Sequence, residues 1–178
     1  IDIDADGDKD LFVGNFEGKV FFYENTGSPK DAQFILTSNN YNDIDFNEAA
    51  VPKFADIDAD GDFDMFVGSD NGKVAYYKNN GGTHTPAFKL INDSFLAVEK
   101  SYVYPAFVDI DADSDLDIFL GNNLGEMHFY RNTGTITNPN FVEVTEEYFH
   151  LDIGSDSNIS FADLDDDEVT LLVEVLEA

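Results

Sequence analysis

Short runs of alternating hydrophobic and polar residues recur along the chain, and turn residues bound each run. In the second unit these runs predict strands at 51–57, 64–68, 73–79 and 87–91. The same order predicts strands at 104–110, 117–121, 126–132 and 141–144 in the third unit and at 10–14, 19–25 and 33–36 in the first. Alternation with a period of two is typical of strands with one buried face, and helical periodicity is absent from the sequence.

The turns between these runs repeat as well. Turns that end in glycine separate the second and third predicted strands at 15–18, 69–72 and 122–125, and Asn-x-Gly turns follow at 25–27, 79–81 and 132–134. Tandem antiparallel units of about 50 residues are typical of propeller blades. A β-solenoid is the competing interpretation, but solenoid repeats are usually shorter.

Each unit carries a nine-residue acidic phrase, Asp-x-Asp-x-Asp-Gly-x-x-Asp, directly before its second predicted strand. The starts of three full phrases and of a broken fourth at Asp163 lie 54, 53 and 54 residues apart. We therefore predict an all-β fold of four-stranded antiparallel β-propeller blades with about 54 residues per repeat. The chain is interpreted as an incomplete array, an excerpt of about three and a third blades. The predicted blades, all in one propeller domain, are 1–50, 51–103, 104–157 and a fourth start or capping segment at 158–178.

The aspartates of the three full phrases are candidate metal ligands. Five carboxylates in nine residues repel one another unless a cation binds between them. Oxygen ligands favour Ca²⁺ or Mg²⁺, and a short flexible loop suits Ca²⁺ better. We predict about three calcium ions, one for each intact loop. The candidate ligands are Asp2, Asp4, Asp6, Asp8, Asp10, Asp56, Asp58, Asp60, Asp62, Asp64, Asp109, Asp111, Asp113, Asp115 and Asp117.

The spacing within the phrase assigns a role to each position. Carboxylates at positions 1, 3 and 5 with glycine at position 6 match the first half of an EF-hand loop, and the aspartate at position 9 is the predicted closing ligand. The residues at position 7 are expected to offer a main-chain oxygen and to point their side chains outward: Asp8, Asp62 and Asp115. Ser114 stands at the glycine position of the third phrase, so strain there predicts a lower affinity.

The fourth phrase is broken, and we predict no metal there. It keeps Asp163, Asp165 and Asp167, but Glu168 stands at the glycine position and Leu171 at the closing position.

Aromatic residues recur in register with the phrases. Phe54, Phe107 and Phe161 each stand two residues before the first aspartate of a phrase. Aromatic pairs also occupy the third predicted strand at 22–23, 76–77 and 129–130. Residues that alternate on a strand share one face, so these positions are predicted to form the core between blades.

The charge balance limits the partners. The chain has 37 acidic and 9 basic residues and a net charge of −28. Such a surface repels phosphate, so nucleic acid is not expected as a partner. The chain has no cysteine, hence no disulfide, and no apolar run long enough for membrane insertion.

The segment 54–68, with equivalents at 1–14 and 107–121, resembles the FG-GAP/VCBS repeats found in integrin α-type propellers and in many secreted bacterial proteins. The resemblance implies a β-propeller with calcium in the loop that joins the first two strands of a blade, and an extracellular or cell-surface setting. Three and a third blades do not close a ring of that kind, so flanking sequence or several associated copies are expected.

The resemblance points to a secreted calcium-binding propeller in adhesion, recognition or surface assembly, with a protein or glycan ligand or other copies of itself as partners. One alternative is a catalytic or non-catalytic propeller module of a secreted polysaccharide-active enzyme, and another is a self-assembling filament or ring protein. His84, His128 and His150 occupy unrelated repeat positions and are interpreted as surface or turn residues. We therefore expect no catalytic residues and no enzyme.

Overall fold

The computed structural model describes residues 1–46, 49–99, 102–145, 157–162 and 170–175. Within these ranges the strands form four antiparallel sheets, and a short 3-10 turn lies at Tyr41–Asp43. Sheet 1 contains β1 (Leu11–Gly14), β2 (Val20–Asn25) and β3 (Phe34–Ser38), which are equivalent to the second, third and fourth strands of the four-stranded sheets, and strand positions are counted in this way in every sheet. Sheet 2 contains β4 (Ala50–Ala55), β5 (Asp64–Ser69), β6 (Lys73–Asn79) and β7 (Phe88–Ala97). Sheet 3 contains β8 (Val103–Val108), β9 (Asp117–Asn122), β10 (Met127–Asn132) and β11 (Phe141–Thr145), and sheet 4 pairs β12 (Ser157–Ala162) with β13 (Thr170–Val175). The described residues include no helix long and apolar enough to cross a membrane.

Strands pair in sequence order within each sheet, as in the blades of a propeller. The predicted all-β fold of antiparallel blades is confirmed. Most strand ends agree with the sequence pattern within one or two residues, but β7 continues to Ala97, six residues past its predicted end. It continues because Phe95 and Leu96 pack into the core between sheets 2 and 3.

The second strands of sheets 2 and 3 are buried on both faces. In β5, Met65 and Val67 pack towards sheet 1, whereas Phe66 packs towards sheet 3, and all three side chains are fully buried. This alternation follows from the two-residue period of a strand. The cores therefore lie between successive sheets, and sheets 2 and 3 each contribute to two of them.

The aromatic residues that precede the acidic phrases lie in these cores, as the sequence predicts. The ring centroids of Phe54 and Phe12 are 4.6 Å apart, and those of Phe107 and Phe66 are 4.5 Å apart. Phe161 contacts Phe119 at 5.1 Å. Each pair joins the first strand of one sheet to the second strand of the sheet before it.

A glycine at the same place in three sheets allows the next sheet to approach. A Cβ atom on Gly68 would lie 2.2 Å from the main-chain oxygen of Val103, the first residue of β8. At Gly14 and Gly121 the corresponding distances are 1.8 Å to Ala50 O and 1.7 Å to Ser157 O. The last part of the second strand therefore packs backbone to backbone against the following sheet.

Candidate metal centre

The acidic phrases form loops at the entrance to the second strand of a sheet. Loop 1 (residues 2–10) precedes β1, loop 2 (56–64) joins β4 to β5, and loop 3 (109–117) joins β8 to β9. The residue at position 6 is left-handed in all three, with φ of 98° at Gly7, 92° at Gly61 and 75° at Ser114. The predicted need for positive φ is confirmed, and Ser114 adopts this conformation although a side chain disfavours it.

Position 4 of the loops is also left-handed, which the sequence did not predict. Ala5, Ala59 and Ala112 have φ of 56°, 53° and 59°. An alanine in this conformation is unusual, since its Cβ crowds the backbone. The recurrence of the strain in three loops shows that the surrounding hydrogen bonds determine the loop shape.

Backbone amides fix the orientation of the carboxylates. The amide at position 6 donates to the carboxylate at position 1 in each loop, over 3.1 Å from Gly7 to Asp2, 3.1 Å from Gly61 to Asp56 and 2.8 Å from Ser114 to Asp109. The amide at position 7 donates in the same way to the aspartate at position 5, over 3.0–3.2 Å. These bonds turn the carboxylates towards the inside of the loop.

The closing aspartates are buried and connect each loop to the end of the third strand. Asp64 is 1% exposed, and its Oδ1 accepts a 2.7 Å hydrogen bond from the amide of Asn79. The side chain of Asn79 then accepts bonds from the amides of Gly81 and Ala87, which shape the following turn. The other two blades repeat the arrangement with Asp10 and Asn25, and with Asp117 and Asn132.

Sequence reasoning placed these asparagines in turns but missed their link to the loops. The available signal was their constant distance from the closing aspartate, 15 residues in each blade. Tyr76 was missed as well: its hydroxyl donates to Asp64 Oδ2 over 2.9 Å. A core aromatic residue in the sequence gives no indication of such a contact.

The prediction that the side chains at position 7 point outward is wrong. Asp8 and Asp115 are only 7% exposed, and the Oδ1 atoms of Asp8, Asp62 and Asp115 are buried without a hydrogen-bond donor. The residue before each of them has a positive φ, and this turn of the chain accompanies an Oδ1 atom that is shielded from solvent. Buried carboxylate oxygens normally have a partner, so these atoms indicate a site for a cation.

The carboxylates also meet the distance requirement of one ion. Oxygen atoms from three aspartates lie within 4.8 Å of one another in each loop: Asp2, Asp4 and Asp10; Asp56, Asp58 and Asp60; Asp109, Asp111 and Asp113. Calcium–oxygen bonds of 2.3–2.6 Å allow two ligands of one ion to be up to about 5 Å apart. The residues present therefore fit a calcium ion.

Burial, together with repulsion from neighbouring carboxylates, raises the pKa values of two loop aspartates. Burial, reinforced by Asp113 and the closing Asp117, raises the pKa of Asp115 to about 6. Burial also raises the pKa of Asp64 to about 6, although the bonds from Asn79 and Tyr76 oppose the shift. Such shifts are expected for carboxylates that are buried and lie close to other anions.

Two loops have a basic side chain beside their carboxylates. The Lys78 ammonium contacts the carboxylate of Asp58 and lies 3.1 Å from Asp60 Oδ2. The hydrogen bond to Asp58 raises the pKa of Lys78 far above its usual value. In loop 3, Arg131 Nε lies 3.5 Å from Asp111 Oδ2.

The two histidines that the structure describes do not form a common site. His84 is exposed in a turn, as expected, and His150 and the broken loop at 163–171 lie outside the described residues apart from the backbone of β13. The prediction of a surface or turn position is wrong for His128. Its side chain is only 6% exposed because it stands at a buried position of β10, and its Nδ1 atom lies 3.1 Å from Glu143 Oε1.

Antiparallel sheets packed in series, three of them with a described acidic loop before the second strand, define a β-propeller-type repeat protein. A profile of the FG-GAP-like repeat matches residues 2–67, 56–120 and 109–170, and each match begins at the first aspartate of a loop. The chain therefore belongs to the FG-GAP-like repeat family. A comparison with curated proteins finds no match.

Proposed function

We propose that this protein is a calcium-binding, extracellular β-propeller module that acts in adhesion, recognition or surface assembly. One observation carries the calcium proposal: oxygen atoms from three aspartates converge within 4.8 Å of one another in every loop. A buried carboxylate oxygen at position 7 of each loop, which has no hydrogen-bond donor, agrees with it. A bound calcium ion would supply the missing positive charge.

The ions would be structural. The aspartates at positions 1, 3 and 5 come from the loop itself, whereas the buried closing aspartate is bonded to the end of the third strand. An ion that engages both would hold the loop, the second strand and the third strand together. Extracellular calcium modules have dissociation constants of roughly 10⁻⁴–10⁻³ M, which suits a millimolar external pool.

The proposed surface role is a binding role and not a catalytic one. Its support is the family, whose repeats are typically extracellular, together with the repetition of one ligand set in three blades. A catalytic centre would need unusual polar groups in one blade. Protein or glycan ligands, or further copies of the chain, are the proposed partners.

Thermal unfolding in calcium, in magnesium and in excess chelator tests the calcium proposal. At a tenfold excess over the dissociation constant each site contributes about 1.4 kcal/mol, so three sites contribute about 4 kcal/mol. For a chain of this size the midpoint should rise by roughly 8–16 °C in calcium, and magnesium should reproduce little of the rise. Equal midpoints in calcium and chelator would overturn the proposal.

A surface test follows from the same comparison. Immobilised glycans or matrix proteins should retain the chain in calcium and release it in chelator. A variant with Asp2, Asp56 and Asp109 changed to Asn is the control, since it should bind neither calcium nor the surface. Equal retention in calcium and in chelator, and equal retention of this variant and the wild type, would contradict a calcium-dependent binding role.

A further inference from the structure

We infer that one residue of the third strand sets the calcium affinity of each loop, because a basic side chain at this position competes with the ion. The inference rests on the calcium binding proposed above. The residue directly precedes the asparagine that ends the strand, and it is Glu24 in β2, Lys78 in β6 and Arg131 in β10. The three blades thus differ in charge at one equivalent position.

In loop 2 the basic side chain lies among the carboxylates that would bind the ion. Lys78 contacts the carboxylates of Asp58 and Asp60, and these two residues belong to the converging trio of this loop. Calcium and the ammonium group need the same oxygen atoms. A calcium ion that enters loop 2 must therefore displace the ammonium of Lys78.

Loop 3 shows a weaker form of the same contact. Arg131 Nε lies 3.5 Å from Asp111 Oδ2, and Asp111 belongs to the converging trio of loop 3. The guanidinium carbon also lies 5.7 Å from the ring centroid of Phe129, which holds the side chain over the strand. In loop 3 the basic side chain therefore contacts one carboxylate, whereas in loop 2 it contacts two.

Loop 1 has an acidic residue at the equivalent position. Glu24 is bonded to the hydroxyl of Thr37 over 3.3 Å, and the converging trio of loop 1 includes the buried closing residue Asp10. Lys9 belongs to this loop but is exposed, and within the described residues it forms no ion pair with a loop carboxylate. The amino terminus bonds to the main-chain oxygen of Asp10 and not to its carboxylate.

The three loops should consequently fill at different calcium concentrations. Loop 1 fills first, since no side-chain ammonium or guanidinium has to leave its ligands. Partly exposed ion pairs are modest in energy, so we expect replacement of Lys78 by methionine to tighten loop 2 by about three- to tenfold. Lys78→Met keeps an unbranched side chain of nearly the same length and removes the ammonium group.

Site-resolved NMR of the full chain during a calcium titration tests this ranking. The amides of Gly7, Gly61 and Ser114 each donate to the first aspartate of their own loop, so their signals report the three loops separately. In the wild type the Gly7 signal should shift at the lowest calcium concentration. In Lys78→Met the Gly61 midpoint should fall by about three- to tenfold, while those of Gly7 and Ser114 stay unchanged.

Two further variants make the test specific. Lys73→Met removes the same charge from an exposed position at the start of the same strand, so it should leave the Gly61 midpoint in place. Glu24→Lys introduces an ammonium beside loop 1 and should raise the Gly7 midpoint by about three- to tenfold. This variant also decides the question if Lys78→Met does not fold.

The outcomes separate the two proposals. Calcium binding at all three loops with unchanged midpoints in Lys78→Met and Glu24→Lys would overturn the competition and leave calcium binding intact. Equal shifts in Lys73→Met and Lys78→Met would overturn it too, because long-range charge would then explain the effect. If calcium shifts none of the three amide signals in the wild type, the proposed calcium binding is overturned, and this inference with it.

Discussion

Two regions of the molecule repeat with the same period: the interfaces between neighbouring sheets, and the acidic loops. Their buried side chains differ in whether the chain itself supplies their contacts. Phe66 at an interface is fully buried and meets Tyr76 and Phe107 at 4.9 and 4.5 Å between ring centroids. Asp115 in a loop is buried almost as deeply but has a carboxylate oxygen without a donor. The interface is complete within the chain, whereas the buried oxygen of Asp115 has no partner from the chain.

This difference separates two sources of stability that can be measured independently. Hydrophobic contacts between sheets act without calcium, so a core substitution should cost the same free energy in calcium and in chelator. Loop carboxylates gain their stabilising role only when an ion is bound. A substitution that removes one should therefore matter mainly in calcium.

Phe66→Ala should give the largest effect. The substitution leaves a cavity between sheets 2 and 3 and should lower the free energy of unfolding by about 3–5 kcal/mol. Urea unfolding monitored by circular dichroism should show the same loss in calcium and in chelator. Phe16→Ala is the matched control, because Phe16 is 82% exposed and its removal should cost little. A loss confined to calcium would contradict the separation.

Gly68→Ala should come next. The added methyl group would lie 2.2 Å from the oxygen of Val103, so sheets 2 and 3 must move apart. Overpacking of this kind costs about 1–3 kcal/mol, again with and without calcium. Gly121→Ala, at the equivalent place in sheet 3, should reproduce the loss in the same unfolding assay. Unchanged stability in both variants would show that the sheets are not held this closely.

The fold could be predicted from the sequence because its signals are local and repeated. Alternating runs, glycine turns and aromatic residues in register specify strands and blades, and the structure confirms them. The length of β7 could not be predicted, since its last residues are held by Phe95 and Leu96 in the next interface. The alternation of hydrophobic and polar residues along a strand does not indicate such a contact with a different sheet.

The loops were identified from spacing, but their internal geometry was only partly predicted. Positive φ at Gly61 follows from the residue type, whereas positive φ at Ala59 contradicts it. The inward side chain of Asp62 and the approach of Lys78 depend on how the loop folds over the third strand. Pattern and propensity describe neighbours along the chain, and these contacts join residues from different strands.

Asp115→Asn tests the loop side of the comparison. In calcium the variant should lose the stabilisation of one site, about 1.4 kcal/mol at a tenfold excess of calcium. In chelator it should be as stable as the wild type or more so, since the amide removes a buried charge without a partner. Asp31→Asn, in an exposed turn, is the control and should behave like the wild type in both conditions. An equal loss in calcium and chelator would show that Asp115 stabilises the fold without an ion.

The pH dependence of stability should change sign with calcium. The pKa values of Asp64 and Asp115 are raised to about 6 from 3.8, so the native state binds these two protons more tightly than the unfolded chain. Their contribution to stability is complete below pH 3.8 and is lost as the pH rises through about 6. Without calcium the unfolding midpoint should therefore be higher at pH 5 than at pH 7.5. With calcium the order should reverse, because protons then compete with the ion for the carboxylates. Asp115→Asn should flatten the calcium-free dependence, which distinguishes a titrating loop from general repulsion in a chain of net charge −28.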